Sequence, residues 1–96
     1  MAIQKLQLNY KYIHFSDMSF LYSKKKTKTF NCRNSNTYDL LGEVKWFGRW
    51  RQYCFFPNHE TIFNSICLND ISNFLQQLNK GHKEKIGENN GNTKKK

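Results

Sequence analysis

The chain has 96 residues, 38% hydrophobic and 24% charged, enough for one compact domain but not for a second core, which excludes a multidomain enzyme. Sixteen Lys and Arg against seven Asp and Glu leave a formal net charge of +9, which points to an acidic partner such as nucleic acid and excludes an acidic mimic of DNA. Eight Phe, five Tyr and two Trp must supply much of the core.

At the start of the chain no basic region precedes a long apolar run, and no stretch approaches the roughly 20 apolar residues of a membrane span. Together with three unpaired cysteines (Cys32, Cys54 and Cys67), this predicts a reduced, cytoplasmic protein of a bacterial host, with no membrane role. Leu6, Leu8, Tyr10, Tyr12 and His14 alternate with polar positions, predicting a half-buried strand over residues 6–15. Met18, Phe20 and Tyr22 repeat the alternation, and Thr27, Thr29 and Phe30 follow a lysine run. A hairpin with its turn near residues 23–26 follows, presenting Lys24, Lys25, Lys26 and Lys28 to solvent. Asn31, Asn34, Ser35 and Asn36 read as a loop.

Residues 41–47 and 51–56 are two further strands joined through Gly48, the second ended by Pro57, and residues 61–63 suit a short fifth strand. Leu68, Ile71, Phe74, Leu75 and Leu78 then follow the three-and-four spacing of an amphipathic helix, with Asn64 or Ser65 as N-cap and Gly81 near its end. The expected architecture is α+β: a small, mainly antiparallel sheet of four to five strands covered on one face by this helix. Residues 1–80 form the domain. Residues 81–96 carry five Lys, with Ile86 their one large apolar side chain, and read as a basic, disordered tail.

The densest chemical feature is the run Lys45-Trp46-Phe47-Gly48-Arg49-Trp50-Arg51-Gln52-Tyr53-Cys54-Phe55-Phe56. Aromatic faces stack on unpaired bases while Lys and Arg hold phosphates, so Lys45, Trp46, Arg49, Trp50, Arg51 and Tyr53 join the lysines at 24–26 and 28 as candidate nucleic-acid contacts. The same run also suits a hairpin whose aromatic face packs under the helix and whose basic face meets solvent. Cys32, Cys54, Cys67, His59 and His82 are of ligand type, but no closely spaced pair fixes two on one turn, so no metal or other cofactor is expected. Cys54 or Cys67 with His59 and Asp70 lacks a motif, and Glu43, Glu60 and Asp70 are too scattered for a nuclease. The sequence predicts a protein that is not an enzyme.

Gly42-Glu43-Val44-Lys45-Trp46-Phe47 resembles the opening strand of cold-shock domains, which bind single-stranded RNA or DNA. The likeness covers about six residues; the glycine-aromatic alternation of the next cold-shock strand is replaced here by Arg51-Gln52-Tyr53-Cys54-Phe55-Phe56. A longer stretch, from Leu41-Gly42-Glu43-Val44-Lys45-Trp46 through Cys67-Leu68-Asn69-Asp70-Ile71 to about Leu78, resembles small phage and prophage accessory proteins, most without assigned function. That resemblance implies a mobile-element accessory protein, and the basic surface predicts that it acts as a stoichiometric binder with RNA or a ribonucleoprotein as partner. Its most concrete form is an inhibitor of an RNA-guided CRISPR nuclease, and the alternative is a general single-stranded RNA- or DNA-binding protein.

Overall fold

The computed structural model describes residues 6–22 and 26–82 in full and the helical backbone onward to Asn90. Four strands, β1 (Ile13–Asp17), β2 (Thr29–Asn34), β3 (Leu40–Phe47) and β4 (Gln52–Pro57), precede one long helix, α1 (Ser65–Asn90), and a short 3-10 turn (Ser19–Tyr22) lies between β1 and β2. The strands form one open sheet in the order β1-β2-β3-β4, each neighbour antiparallel, and α1 packs across one face. This is the expected α+β architecture with four strands.

The strand boundaries follow local chemistry more closely than the alternation implies. The expected strand over residues 6–15 is a turn followed by a strand: Tyr10 N–H donates to Ile13 O at 2.9 Å and Phe15 N–H to Leu8 O at 2.8 Å, folding residues 6–9 back beside β1. The turn shifts the phase, so that Ile13 and Phe15 are buried while His14 faces away from the core. The anticipated strand through Met18, Phe20 and Tyr22 is instead the 3-10 turn, because the Asp17 Oδ1 accepts from Ser19 N–H at 2.8 Å and bends the chain. β2 therefore pairs with residues 13–17. Asn31, expected in a loop, lies inside β2. Asn34 does open the turn, its Oδ1 accepting from the N–H groups of Asn36 and Thr37.

Residues 61–63 make no strand. Phe63 instead meets the Phe55 ring edge-on at 5.5 Å, and Asn64 caps α1 by accepting from Cys67 N–H at 2.8 Å. The buried stripe of α1 runs through Ile71, Phe74 and Leu78, with Cys67 and Leu75 half-buried beside it. Leu68, expected on that stripe, is 51% exposed because it follows Cys67 by one residue, about 100° around the helix. The helix continues through Gly81, which has open space around it, to Asn90, so residue 81 is not the end of the last element as expected. No proline interrupts the segment, and an exposed helical glycine costs only about 1 kcal/mol. The lysines at 94–96 lie outside the described residues.

The core is aromatic. Phe74, fully buried, stacks on Phe15 with centroids 4.0 Å apart and meets Phe30 edge-on at 5.0 Å, with Ile13, Cys32, Val44 and Tyr53 completing the layer. Burial pushes the Cys32 thiol up to about 12, with the nearby Cys67 adding to the effect. Gly42 has a steric reason to be glycine: a Cβ there would meet Phe55 Cζ and the Phe56 carbonyl oxygen, each at 2.6 Å. Because the oxygen belongs to the paired strand, Gly42→Ala is expected to cost about 1–3 kcal/mol, read as a lower urea midpoint with unchanged slope. An unchanged midpoint would show that β3 and β4 separate without cost.

Candidate nucleic-acid interface

Strand alternation sorts the candidate residues onto two faces. In β3, Val44 and Trp46 point toward α1, while Glu43, Lys45 and Phe47 point away; in β4, Tyr53 and Phe55 point in and Cys54 and Phe56 out. Neither helix nor strand covers the outer face among the described residues. Only Thr29 is buried there, where its N–H donates to Ser19 Oγ of the 3-10 turn.

The inward candidates belong to the core. Trp46 is half-buried, edge-on to Tyr53 at 5.4 Å and in contact with His82 at 4.4 Å. Tyr53 is 6% exposed; its hydroxyl accepts from Lys28 N–H at 3.1 Å. The Tyr53 backbone faces the free edge of β4, where Asn79 accepts from its N–H at 2.7 Å and donates to its carbonyl, so a helix side chain stands in for a further strand. Tyr53 is held by packing and Trp46 is half-buried beside it, so both lie on the helix side and not with the outer-face candidates.

Four candidates gather on the outer face or its rim. Trp50 N–H donates to Phe47 O and Arg51 N–H to Gly48 O, closing the β3–β4 turn; Arg49, Trp50 and Arg51 are all exposed, Trp50 by 63%. Arg51 has a φ of 55°, a left-handed conformation that an arginine rarely adopts. Below the turn, the Trp50 and Phe56 rings meet Phe47 edge-on at 5.0 and 6.0 Å, and the Lys45 ammonium lies 4.8 Å from the Phe56 centroid. Lys45 also pairs with Glu43 at 3.4 Å.

Phe47 and Phe56 are not among the sequence candidates: Phe47 shares the face of Lys45 by parity within β3, whereas Phe56 of β4 reaches that face only through its pairing with Glu43. The arrangement sets the Phe47 and Phe56 rings and Lys45 on the outer face beside a turn that exposes Arg49, Trp50 and Arg51, Trp50 also bordering a cleft against Ser72, Gln76 and Asn79 of α1; this chemistry suits unpaired bases and their phosphates.

The lysine loop lies elsewhere. Lys26 and Lys28 are exposed and, with Tyr53, Gln77, Leu78 and His82, line a cleft of about 200 Å³ on the helix side of the sheet; Lys28 also pairs with Asp17 at 3.8 Å. Lys24 and Lys25 lie outside the described residues. The sheet thus separates Lys26 and Lys28 from the Lys45–Arg51 cluster.

The candidate catalytic groups are also distributed: Cys54 is on the outer face, Cys67 is packed against the core in the first turn of α1, and His59 is exposed between β4 and α1. Burial pushes the Cys54 thiol up. Among the described residues no three His, Cys, Asp or Glu side chains converge as metal ligands, and no helix is long and apolar enough to cross a membrane.

The cold-shock-like stretch is the third strand of an open sheet, so the likeness is confined to one strand. No family model and no solved structure matches the chain. The chain is 32% identical over 60 residues to the uncharacterized 9.3 kDa protein of Acholeplasma phage L2, an alignment covering 62% of this chain and 77% of that protein. The expected kinship with phage proteins is therefore present, and the chain belongs to the family of this phage protein.

Proposed function

We propose that the protein is a non-enzymatic phage accessory factor that binds single-stranded nucleic acid, free or exposed in a ribonucleoprotein, on the outer face of its sheet. The observation that carries this reading is the Phe47, Trp50 and Phe56 cluster with the Lys45 ammonium against Phe56, adjoining a turn that exposes Arg49 and Arg51. A net charge of +9 supplies long-range attraction for a polyanion. The mechanism is stoichiometric occupation: bases stack on the rings while phosphates meet the rim cations.

Kinship with a phage protein favours a host machine as the target, and an RNA-guided CRISPR nuclease, with its guide RNA as the anionic surface, is the most concrete one. Salt separates a general binder from such an inhibitor. A general binder holds many unstructured oligonucleotides, and log Kd rises with log salt by about 0.7 per phosphate contacted. An inhibitor retains one ribonucleoprotein at salt that releases free oligonucleotide. Fluorescence anisotropy with labelled decauridylate from 50 to 200 mM salt, and a bacterial-lysate pull-down with and without RNase, measure the two. Absence of both oligonucleotide binding at 50 mM salt and RNase-sensitive capture would reject the nucleic-acid reading.

A further inference from the structure

We infer that the outer face carries a second base-stacking subsite, built by Tyr38, His14 and Arg33 at the end of the sheet opposite Trp50, making the nucleic-acid site bipartite and length-selective. The inference rests on the reading of the outer face as a nucleic-acid surface and adds a distinct part to it.

The second subsite is assembled from three places in the chain. His14 points outward from β1, between the buried Ile13 and Phe15, and is paired in register with Arg33 of β2. Tyr38, in the turn between β2 and β3, sets its ring against His14 with centroids 5.5 Å apart, yet remains 64% exposed. Its backbone is left-handed at φ 66°, unfavourable for a bulky residue, and Arg33 Nη1 donates to its carbonyl at 2.9 Å. The Asn34 carboxamide holds the preceding N–H groups of Asn36 and Thr37. The turn is thus fixed by side chains of β2 and presents an aromatic ring to solvent beside a guanidinium, the same pairing of chemistry found around Trp50.

The position of this ring sets the length of strand it can share. β3 is eight residues long, and its ends adjoin the two turns that carry Tyr38 and Trp50. At roughly 3.3 Å per residue, the two subsites lie about 23 Å apart along the strand direction. A single strand stacked at about 3.4 Å per nucleotide needs around seven nucleotides to cover that distance. Between the subsites the outer face presents Asn31, Glu43 and Lys45, with Glu43 tied to Lys45. The Phe56 ring, opposite Glu43 in register, lies on the same stretch, so the floor offers both hydrogen-bonding groups and a ring to the intervening bases. A trinucleotide reaches one subsite, whereas a decanucleotide reaches both.

Anisotropy with labelled triuridylate and decauridylate, using the full chain, tests this. Tyr38→Asn removes the ring while keeping a residue that tolerates the left-handed backbone, and Tyr38→Gly is the second variant. Wild-type protein is expected to bind the decamer more tightly than the trimer by more than the number of available registers explains. Tyr38→Asn is expected to weaken decamer binding roughly fivefold to a hundredfold and to leave trimer binding, held at Trp50, within twofold. Trp50→Ala weakens both. Decamer binding that falls with Trp50→Ala but is unchanged by both Tyr38 variants overturns the second subsite and leaves the nucleic-acid reading standing. Wild-type protein that binds neither oligonucleotide overturns both.

Discussion

Replacing Phe74 with alanine is expected to destabilise the protein by about 3–5 kcal/mol, the largest loss from any single side chain considered. Phe74 is fully buried, lies flat on Phe15 of β1 and meets Phe30 of β2 edge-on, so its ring joins α1 to the far half of the sheet. Truncation removes the transfer free energy of the ring and opens a cavity that the stacked Phe15 cannot fill without leaving its own contacts. Ile71→Ala, one turn earlier on the same stripe, is expected to cost about 2–5 kcal/mol. Leu68→Ala is the internal control: at 51% exposed, it is expected to change stability by less than about 0.5 kcal/mol. Urea unfolding followed by tryptophan fluorescence or circular dichroism reads all three. Equal midpoints for Phe74→Ala and Leu68→Ala would mean that α1 contributes nothing by packing on the sheet.

The helix was the most legible element because Ile71, Phe74 and Leu78 repeat at its period and Asn64 stands at its start. The β3–β4 hairpin was legible for a related reason, since Gly48 and Pro57 punctuate two aromatic strands and the Pro lies on an edge where its missing N–H costs no ladder bond. The N-terminal phase was hidden. Leu6, Leu8, Tyr10 and Tyr12 all pack against the core, and the turn that separates them from Ile13 contains neither Gly nor Pro. Between β1 and β2, Met18, Phe20 and Tyr22 imitate a strand, but the side chains of Asp17 and Ser19 capture backbone N–H groups and divert the chain into a 3-10 turn. Composition identifies the basic and aromatic run but not the sides of the sheet on which its members fall, so the inward-facing Trp46 and Tyr53 and the exposed Arg49 and Trp50 read alike in sequence. His14 and Tyr38 carried no local signal, because only strand register and the β2–β3 turn bring them together.

The combined variant Arg49→Ala, Trp50→Ala, Arg51→Gly is expected to lose nucleic-acid binding by two orders of magnitude or more while remaining folded. Each change is chosen for its place in the turn. Arg49 is exposed, Trp50 is 63% exposed, and glycine suits the left-handed backbone at residue 51 better than the native arginine, so unfolding does not account for the loss. Losing the Trp50 ring removes roughly 1–3 kcal/mol of stacking, and each arginine removes about one phosphate contact, flattening the salt dependence by about 0.7 in log–log slope. Trp46→Ala should behave in the opposite way: with its ring against Tyr53 and His82 on the helix side, its loss lowers stability and leaves affinity unchanged in the molecules still folded. A third arm changes Lys24, Lys25 and Lys26 to alanine. Lys26 lines the cleft on the helix side, so these changes reduce only diffuse attraction if the outer face is the contact surface. If the lysine changes abolish binding and the turn variant binds like wild type, the nucleic acid lies along the lysine loop and the aromatic face has another purpose.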